Sequence, residues 1–152
     1  MPRPTRTRDR LVETAAELFW RQGYAHTGVS AIMKRARATS GSFYHFFPTK
    51  DDLLLAVLDA VAERREAVVL RDAEHHSETA EGRIARLVEA YRSHTVPAAG
   101  GFGLPVGALV HELGPDLDEA RRRVAAIYER LVARVAEWIG PGPSASFAGG
   151  EA

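Results

Sequence analysis

Apolar residues recur at helical spacing along nearly the whole chain. The first such stripe consists of Leu11, Ala15, Leu18 and Phe19, which fall on one face of a helix with about 3.6 residues per turn. Gly23 follows the stripe and predicts the end of this first helix.

Three further helices are predicted up to about residue 65. A short second helix begins near Val29 with Thr27 as its N-cap, and a short third helix holds residues 40–46. Thr49 caps a long fourth helix, whose first turn carries two aspartates, a favourable place for negative charge. Two short helices close to a longer one predict a helix-turn-helix.

The rest of the chain is predicted to hold further helices and no strand, so the fold class is all-α. The last and most regular helix is predicted for residues 119–139, opened by a capping box of Asp116 and Glu119. Gly, Pro, Ser and Ala dominate residues 140–152, which we expect to be a disordered tail.

The formal net charge of zero hides an uneven distribution of charge. Residues 1–50 contain nine Lys or Arg and three Asp or Glu, a balance of +6, whereas residues 51–152 contain eleven and seventeen, a balance of −6. A basic segment at one end of a chain favours a polyanionic partner such as nucleic acid. The alternative is a basic face that is merely solvated, because charge asymmetry alone is a weak signal.

Several classes of function lack the residues they need. The chain has no cysteine, which excludes disulfides, thiolate zinc sites and a cysteine nucleophile. The histidines lack metal-ligand spacing, and motifs for a phosphate loop or a nucleophilic serine are missing, so we expect no metal, no cofactor and no enzymatic activity. The sequence has no run of about 18 apolar residues and no signal peptide, so we expect no membrane contact and a cytoplasmic location.

The first fifty residues have the side chains that a DNA-reading helix needs. Phe19, Ile32 and Phe43 are expected to pin the three helices to one small core. The free N–H groups at the start of the second helix suit a phosphate. Any short three-helix unit could share this pattern, but here the exposed side of the third helix offers hydrogen-bonding groups to phosphates and base edges, namely Thr39, Ser40, Ser42, Tyr44 and His45.

Residues 7–65 also contain a recognisable set of motifs. These are AAELF at residues 15–19, Gly23-Tyr24, TGVSAI at residues 27–32, Ala36 and TSGSFYHFFPTK at residues 39–50. Together they closely resemble the signature of the TetR (tetracycline repressor) family of bacterial regulators. The resemblance is specific, because the run FYHFFPTK after a short polar helix is hard to obtain by chance.

The resemblance implies a DNA-binding head at residues 5–65, with the helix-turn-helix at about residues 28–47, and a helical ligand-binding and dimerisation body at residues 66–139. It also implies a homodimer that reads a palindromic operator in double-stranded DNA. Phe43 and Phe47 match core positions. The residues carried over as DNA contacts are Thr27, Gly28 and Lys50 for phosphates, Ser40, Gly41 and Ser42 for bases, and Tyr44 and His45 for the sugar-phosphate backbone or the groove.

One position departs from the family pattern. The turn between the two short helices usually contains glycine in the family, and here it contains Arg37. A left-handed conformation at a residue other than glycine costs about 1 kcal/mol, and Arg37 could offset part of that cost by reaching a phosphate. The alternative is a turn of different geometry.

The body resembles the family weakly. Family members commonly continue with two further long helices that form most of the dimer interface, so we expect either a shortened variant with a weakened homodimer or dimerisation through another surface. Aromatic and amphipathic side chains on core-facing helices are candidates to line an inducer pocket: Tyr91, His94, Phe102, His111, Tyr128 and Trp138. The alternative for each of them is plain core packing, because aromatic stripes mostly fill cores.

The function predicted from the sequence is therefore that of a ligand-responsive transcriptional regulator. We expect a repressor that binds a palindromic operator as a dimer and releases it when a small molecule of unknown identity binds the body. The alternative is a helical small-molecule-binding or protein-interaction module whose operator binding is impaired because the dimer helices are missing.

Overall fold

The computed structural model of the chain describes the backbone of residues 4–64, 69–95 and 111–140, and the side chains of residues 6–64, 69–90 and 111–140. These ranges contain no β-strand, which confirms the all-α prediction. The helices are α1 (Pro4–Gln22), α2 (Val29–Ala36), α3 (Ser40–Phe46), α4 (Lys50–Arg64), α5 (Arg71–His75), α6 (Ala80–Thr95), a 3₁₀ helix (Pro115–Leu117) and α7 (Asp118–Ile139).

The first four helices pack around one apolar core, with α1 in contact with α2, α3 and α4. The three predicted pins, Phe19, Ile32 and Phe43, all lie in this core with almost completely buried side chains. Burial of one such side chain contributes about 1.5–3 kcal/mol. α2 and α3 have eight and seven residues, too few for stable helices in water, so this packing holds them in place.

Side-chain caps set the start of α3 and the start of α4. The Thr39 hydroxyl accepts a hydrogen bond from the Ser42 N–H at 3.2 Å. The Thr49 hydroxyl accepts one from the Asp52 N–H at 3.1 Å, and the Asp52 carboxylate accepts one in return from the Thr49 N–H at 2.9 Å. Such a reciprocal pair satisfies two backbone donors that the helix leaves without partners. The predicted bounds of α3 and the predicted cap of α4 are confirmed.

Two other predicted caps are wrong. The residue that caps α2 is Gly28, with no side-chain hydrogen bond, and Thr27 lies one position before it. Asp116 lies in the 3₁₀ helix, so α7 starts later than a capping box would require. Glu119 is then the second residue of α7, and its carboxylate reaches forward to Arg122, at 2.8 Å, and to Arg123, at 3.1 Å.

The predicted boundary near residue 65 is not a boundary in the packing. Leu113, Ala120 and Val124 belong to the same buried cluster as the core of the first four helices. Arg123 of α7 also forms an ion pair with Asp59 of α4. The start of α7 is therefore attached to the head through apolar contacts and through charge.

A second, smaller cluster lies at the other end of α7. Trp138 packs there with Val69, Leu70, Ala73 and Leu87, so that α5, α6 and the end of α7 share a core of their own. Within the described ranges, no helix is long and apolar enough to cross a membrane. All of the predicted tail except residue 140 lies outside the described residues.

Candidate nucleic-acid interface

α3 turns one face to the core and the opposite face to solvent. Phe43 is completely buried, whereas the neighbouring Tyr44 is 53% exposed and His45 is exposed as well. Residues four apart share a helix face, which places Ser40 beside Tyr44 and Gly41 beside His45. The structure therefore brings these four predicted contact residues together on one accessible surface, which we call the α3 face.

Thr39 and Ser42 border this face and are held in fixed orientations. The Thr39 hydroxyl donates to the Ser42 hydroxyl oxygen at 3.0 Å, in addition to accepting the Ser42 N–H. The Ser42 hydroxyl keeps its own proton for a further partner, because this bond uses only one of its acceptor sites. A donor is thus presented at the edge of the α3 face by the same bonds that start the helix.

Two predicted contact residues, Gly28 and Gly41, have no side chain to cover the backbone. A methyl group added at Gly41 or at Gly28 would meet no atom within 4 Å, so the packing of the described residues does not require glycine at either position. Gly41 lies on the α3 face, where the missing side chain lets another molecule approach the backbone closely. Gly28 is exposed at the start of α2, where N–H groups without helical partners suit a phosphate.

Arg37 lies in the turn between α2 and α3 and adopts the left-handed conformation, with φ 51° and ψ 45°. The turn therefore has the geometry for which glycine is usual, and the alternative of a different turn is wrong. The N–H groups of Arg37 and Ala38 close the end of α2 by bonding to the carbonyls of Lys34 and Met33, at 3.3 and 2.9 Å. Arg37 is exposed and stands three residues before Ser40, the first residue of α3.

Replacing Arg37 with glycine is expected to raise the free energy of unfolding by about 0.5–1 kcal/mol, because relief of the left-handed strain exceeds the extra entropy of glycine in the unfolded chain. Urea denaturation followed by circular dichroism measures the change. Arg37→Lys, which keeps both the charge and the strained backbone, should match the wild type. A glycine variant less stable than the lysine variant would show that the basic side chain makes a stabilising contact worth more than the relief of strain.

Thr27 cannot offer its side chain to a phosphate. The side chain is completely buried, and its hydroxyl donates to the Gly23 carbonyl at 2.6 Å and accepts from the Gln22 side-chain amide at 3.2 Å. Both bonds stay inside the turn that joins α1 to α2. The Thr27 N–H also has a partner in the turn, the Tyr24 carbonyl at 3.2 Å. Thr27 therefore shapes this turn, and neither its hydroxyl nor its N–H is free for the predicted phosphate.

Lys50 is engaged within the protein as well. Its ammonium group donates to the Tyr24 carbonyl at 2.7 Å and lies 4.0 Å from the centre of the Tyr24 ring. The Tyr24 hydroxyl donates to the Asp51 carboxylate. Burial lowers the pKa of Lys50, an effect opposed by the negative charges of Asp51 and Glu112, and burial raises the pKa of Tyr24. Since an ammonium has three donors, Lys50 can still direct one outward, but its first role here is to tie α4 to the α1–α2 turn.

Sequence reasoning missed Glu112. Its carboxylate accepts a hydrogen bond from the Ala25 N–H at 3.0 Å, between residues 87 positions apart. The nearby Gly23 has φ +85°, and a Cβ there would lie 2.5 Å from the Glu112 carboxylate. No pattern of neighbouring residues predicts this contact, because it forms only when the body packs on the head.

The predicted inducer-pocket residues do not form one site among the described side chains. Trp138 is buried in the second cluster, and its indole N–H donates to Glu74 at 3.1 Å. His111 is exposed in the turn before the 3₁₀ helix, and Tyr128 is partly exposed on α7. Core packing, the alternative, describes Trp138. The other three candidates, Tyr91, His94 and Phe102, have side chains outside the described residues.

A cavity of about 260 Å³ does open between α4, the segment before α5 and the second half of α7. Arg130, Arg134 and Glu137 lie at this cavity, together with apolar residues, and none of the predicted pocket residues lines it. Arg134 is already paired with Glu74 at 2.6 Å and with Glu137 at 3.1 Å.

Comparison with known proteins identifies the family to which the head belongs. The family model described as bacterial regulatory proteins of the tetR family matches residues 11–57, the stretch that carries α2, α3 and the turn between them. The chain is 32% identical to the HTH-type transcriptional regulator LmrA of Bacillus subtilis over 133 residues, which cover 81% of this chain and 69% of LmrA. The chain belongs to the TetR family.

Two further matches agree with this assignment. The HTH-type transcriptional regulator YxaF of Bacillus subtilis is 31% identical over 70% of this chain, and the match spans 56% of the length of YxaF. The crystal structure of a TetR-family transcriptional regulator from Streptomyces coelicolor superimposes with a TM-score of 0.75 at 26% identity, covering 90% of this chain and 72% of that one. All three of these proteins are described as transcriptional regulators.

Proposed function

We propose that this TetR-family chain is a ligand-responsive transcriptional repressor that binds a palindromic operator. The observation that carries the proposal is the α3 face, where hydroxyl, imidazole and bare-backbone positions lie together on a seven-residue helix pinned from behind by Phe43. A helix so short and so exposed can enter the major groove, where hydrogen-bonding side chains read base edges.

The roles proposed within the interface are those that the family resemblance implies. Ser40, Gly41 and Ser42 approach the bases, and Tyr44 and His45 reach the backbone or the groove wall. Phosphates are held by basic and backbone groups: the side chain of Arg37 in the turn between α2 and α3, the N–H groups at Gly28, and a donor of Lys50 that the Tyr24 carbonyl does not use. Phosphate contacts set the position of the head, and base contacts supply the specificity.

Operator recognition requires two heads. In a homodimer, the two α3 helices would enter successive major grooves about 34 Å apart and so read the two halves of a palindrome. A small molecule bound in the body would change the spacing of the heads and weaken operator binding, by a coupling of about 1–3 kcal/mol. Such a protein works in the cytoplasm, where its DNA partner is.

The test starts from a duplex that the wild-type protein enriches from random DNA. We expect the enriched sequence to be an inverted repeat, bound with an affinity that falls steeply with salt, with a log–log slope of about −0.9 per phosphate contact. Sequencing of the enriched DNA shows whether it is an inverted repeat. Fluorescence anisotropy at several salt concentrations measures the affinity and its salt slope. Enrichment of a non-palindromic sequence, or weak binding by a protein that sediments as a monomer, would favour the alternative of a helical binding module.

Removal of a single hydroxyl from the α3 face gives a sharper prediction. Tyr44→Phe is expected to weaken operator binding by about 1.5–3 kcal/mol, roughly 10- to 150-fold in Kd, because a bond to a charged phosphate is lost. The exposed position predicts a free energy of unfolding within about 0.5 kcal/mol of the wild type. Tyr128→Phe, which removes the same atom from α7, is the matched control and should bind like the wild type; equal affinities for both variants would contradict the proposed interface.

A further inference from the structure

Glu112 is a residue of the body that contacts the head. The carboxylate bonds to the Ala25 N–H at 3.0 Å, and the next residue, Leu113, is buried in the core that the head helices form. The body therefore touches the α1–α2 turn through one polar and one apolar contact in adjacent residues.

The α1–α2 turn is built to receive this carboxylate. Gly23 takes φ +85°, a conformation that residues with side chains rarely adopt, and a Cβ there would lie within 2.9 Å of three atoms of the Glu112 carboxyl group. From α4, Lys50 holds the Tyr24 carbonyl of the same turn at 2.7 Å. The turn is thus held by a carboxylate from the body and by an ammonium group from α4.

The α1–α2 turn leads directly into the candidate DNA-binding surface. Ala25 stands three residues before Gly28, the residue that caps α2, and the buried Thr27 fixes the path between them through its bond to Gly23. A shift of the turn moves the start of α2, and α2 leads through the Arg37 turn directly into α3, so the same shift reaches the α3 face.

We propose that Glu112 is a positioning residue for DNA binding, through which the body sets the orientation of the α1–α2 turn and hence of the α3 face. The inference rests on the proposed function, because it concerns the affinity of the same surface for DNA. Glu112 does not touch DNA; it acts through the Ala25 amide.

Two variants and one control separate positioning from simple charge. Glu112→Ala removes the acceptor, Glu112→Gln keeps an acceptor but no charge, and Asp116→Asn removes one negative charge from an exposed site four residues further along the chain. Loss of a negative charge near a DNA-binding surface by itself strengthens binding to phosphates, so the control fixes the sign of the purely electrostatic effect.

Hydrogen exchange of the peptide that covers residues 23–28 gives a readout that needs no DNA. We expect exchange at Ala25 to be about tenfold faster in Glu112→Ala than in the wild type and intermediate in Glu112→Gln, because a protecting acceptor is lost or weakened. On the enriched duplex, we expect Glu112→Ala to bind about 5- to 10-fold more weakly than Asp116→Asn, with an unchanged salt slope.

Unchanged exchange at Ala25 in Glu112→Ala would overturn the inference, and so would faster exchange together with the affinity of the control. Failure of the wild-type protein to bind any duplex in a salt-dependent way would instead overturn the proposed function. The two failures are therefore distinguishable.

Discussion

Phe43→Ala is expected to lower the free energy of unfolding by about 3–5 kcal/mol, the usual cost of truncating a fully buried aromatic side chain. Phe43 is the buried anchor of a seven-residue helix that has no stability of its own. The centre of its ring lies 5.1 Å from that of Tyr44, which it meets edge-on, and 6.1 Å from that of Phe47. The cavity left by the substitution would therefore also loosen these neighbouring aromatic residues. Urea denaturation followed by circular dichroism measures the loss.

The adjacent residue supplies the control for this prediction. Tyr44→Ala changes a side chain that is 53% exposed and should lower the free energy of unfolding by only about 0.5–1.5 kcal/mol, the contribution of its edge-on contact with Phe43. Both variants should lose operator binding, Phe43→Ala because α3 is no longer held and Tyr44→Ala because a contact group is gone. If Phe43→Ala were as stable as Tyr44→Ala, α3 would not be anchored as described.

Trp138→Ala is expected to cost a similar amount, about 3–5 kcal/mol, in the second cluster. The indole is 9% exposed, packs on Leu70 and Leu87, and donates to Glu74, which also pairs with Arg134. The variant loses the apolar contacts, whereas the charge of Glu74 keeps its partner. Trp138→Phe, which removes mainly the hydrogen bond and part of the ring, should cost about 1–2 kcal/mol.

The neighbouring Ile139 is the matched control for this position. It is 58% exposed, so Ile139→Ala should change the free energy of unfolding by no more than about 0.5 kcal/mol. Because Trp138 lies outside the core of the head, operator binding by Trp138→Ala should persist under conditions in which the variant is folded. Loss of binding by a folded variant would mean that the second cluster controls the head.

The elements that were predicted best are those whose signals lie next to each other in the chain. Thr39 and Thr49 are caps whose partners stand three residues away, so the bounds of α3 and the start of α4 could be recognised from a few letters. The pins Phe19, Ile32 and Phe43 followed from helical periodicity, which depends on backbone geometry alone. The left-handed turn at Arg37 was one of two alternatives, and the backbone decided between them.

Thr27 and Lys50, both predicted to hold phosphates, are engaged inside the protein for a common reason. A threonine before a helix suits a cap, but the Thr27 hydroxyl turns back to the Gly23 carbonyl, because the α1–α2 turn offers that acceptor inside the core. A lysine at the start of α4 suits a phosphate, but the Tyr24 carbonyl and ring lie within its reach. In both cases the side chain has suitable chemistry, and a partner brought close by folding uses it first.

The sequence by itself determined the helical class, the family, and the side chains that a DNA-reading helix exposes, because periodicity, caps and motifs are properties of neighbouring residues. The tertiary structure alone decided that Leu113, Ala120 and Val124 share the core of the head and that Glu112 binds the α1–α2 turn. These contacts join residues tens of positions apart. Their energy comes from surfaces that meet only when the helices pack, so no local pattern in the chain contains it.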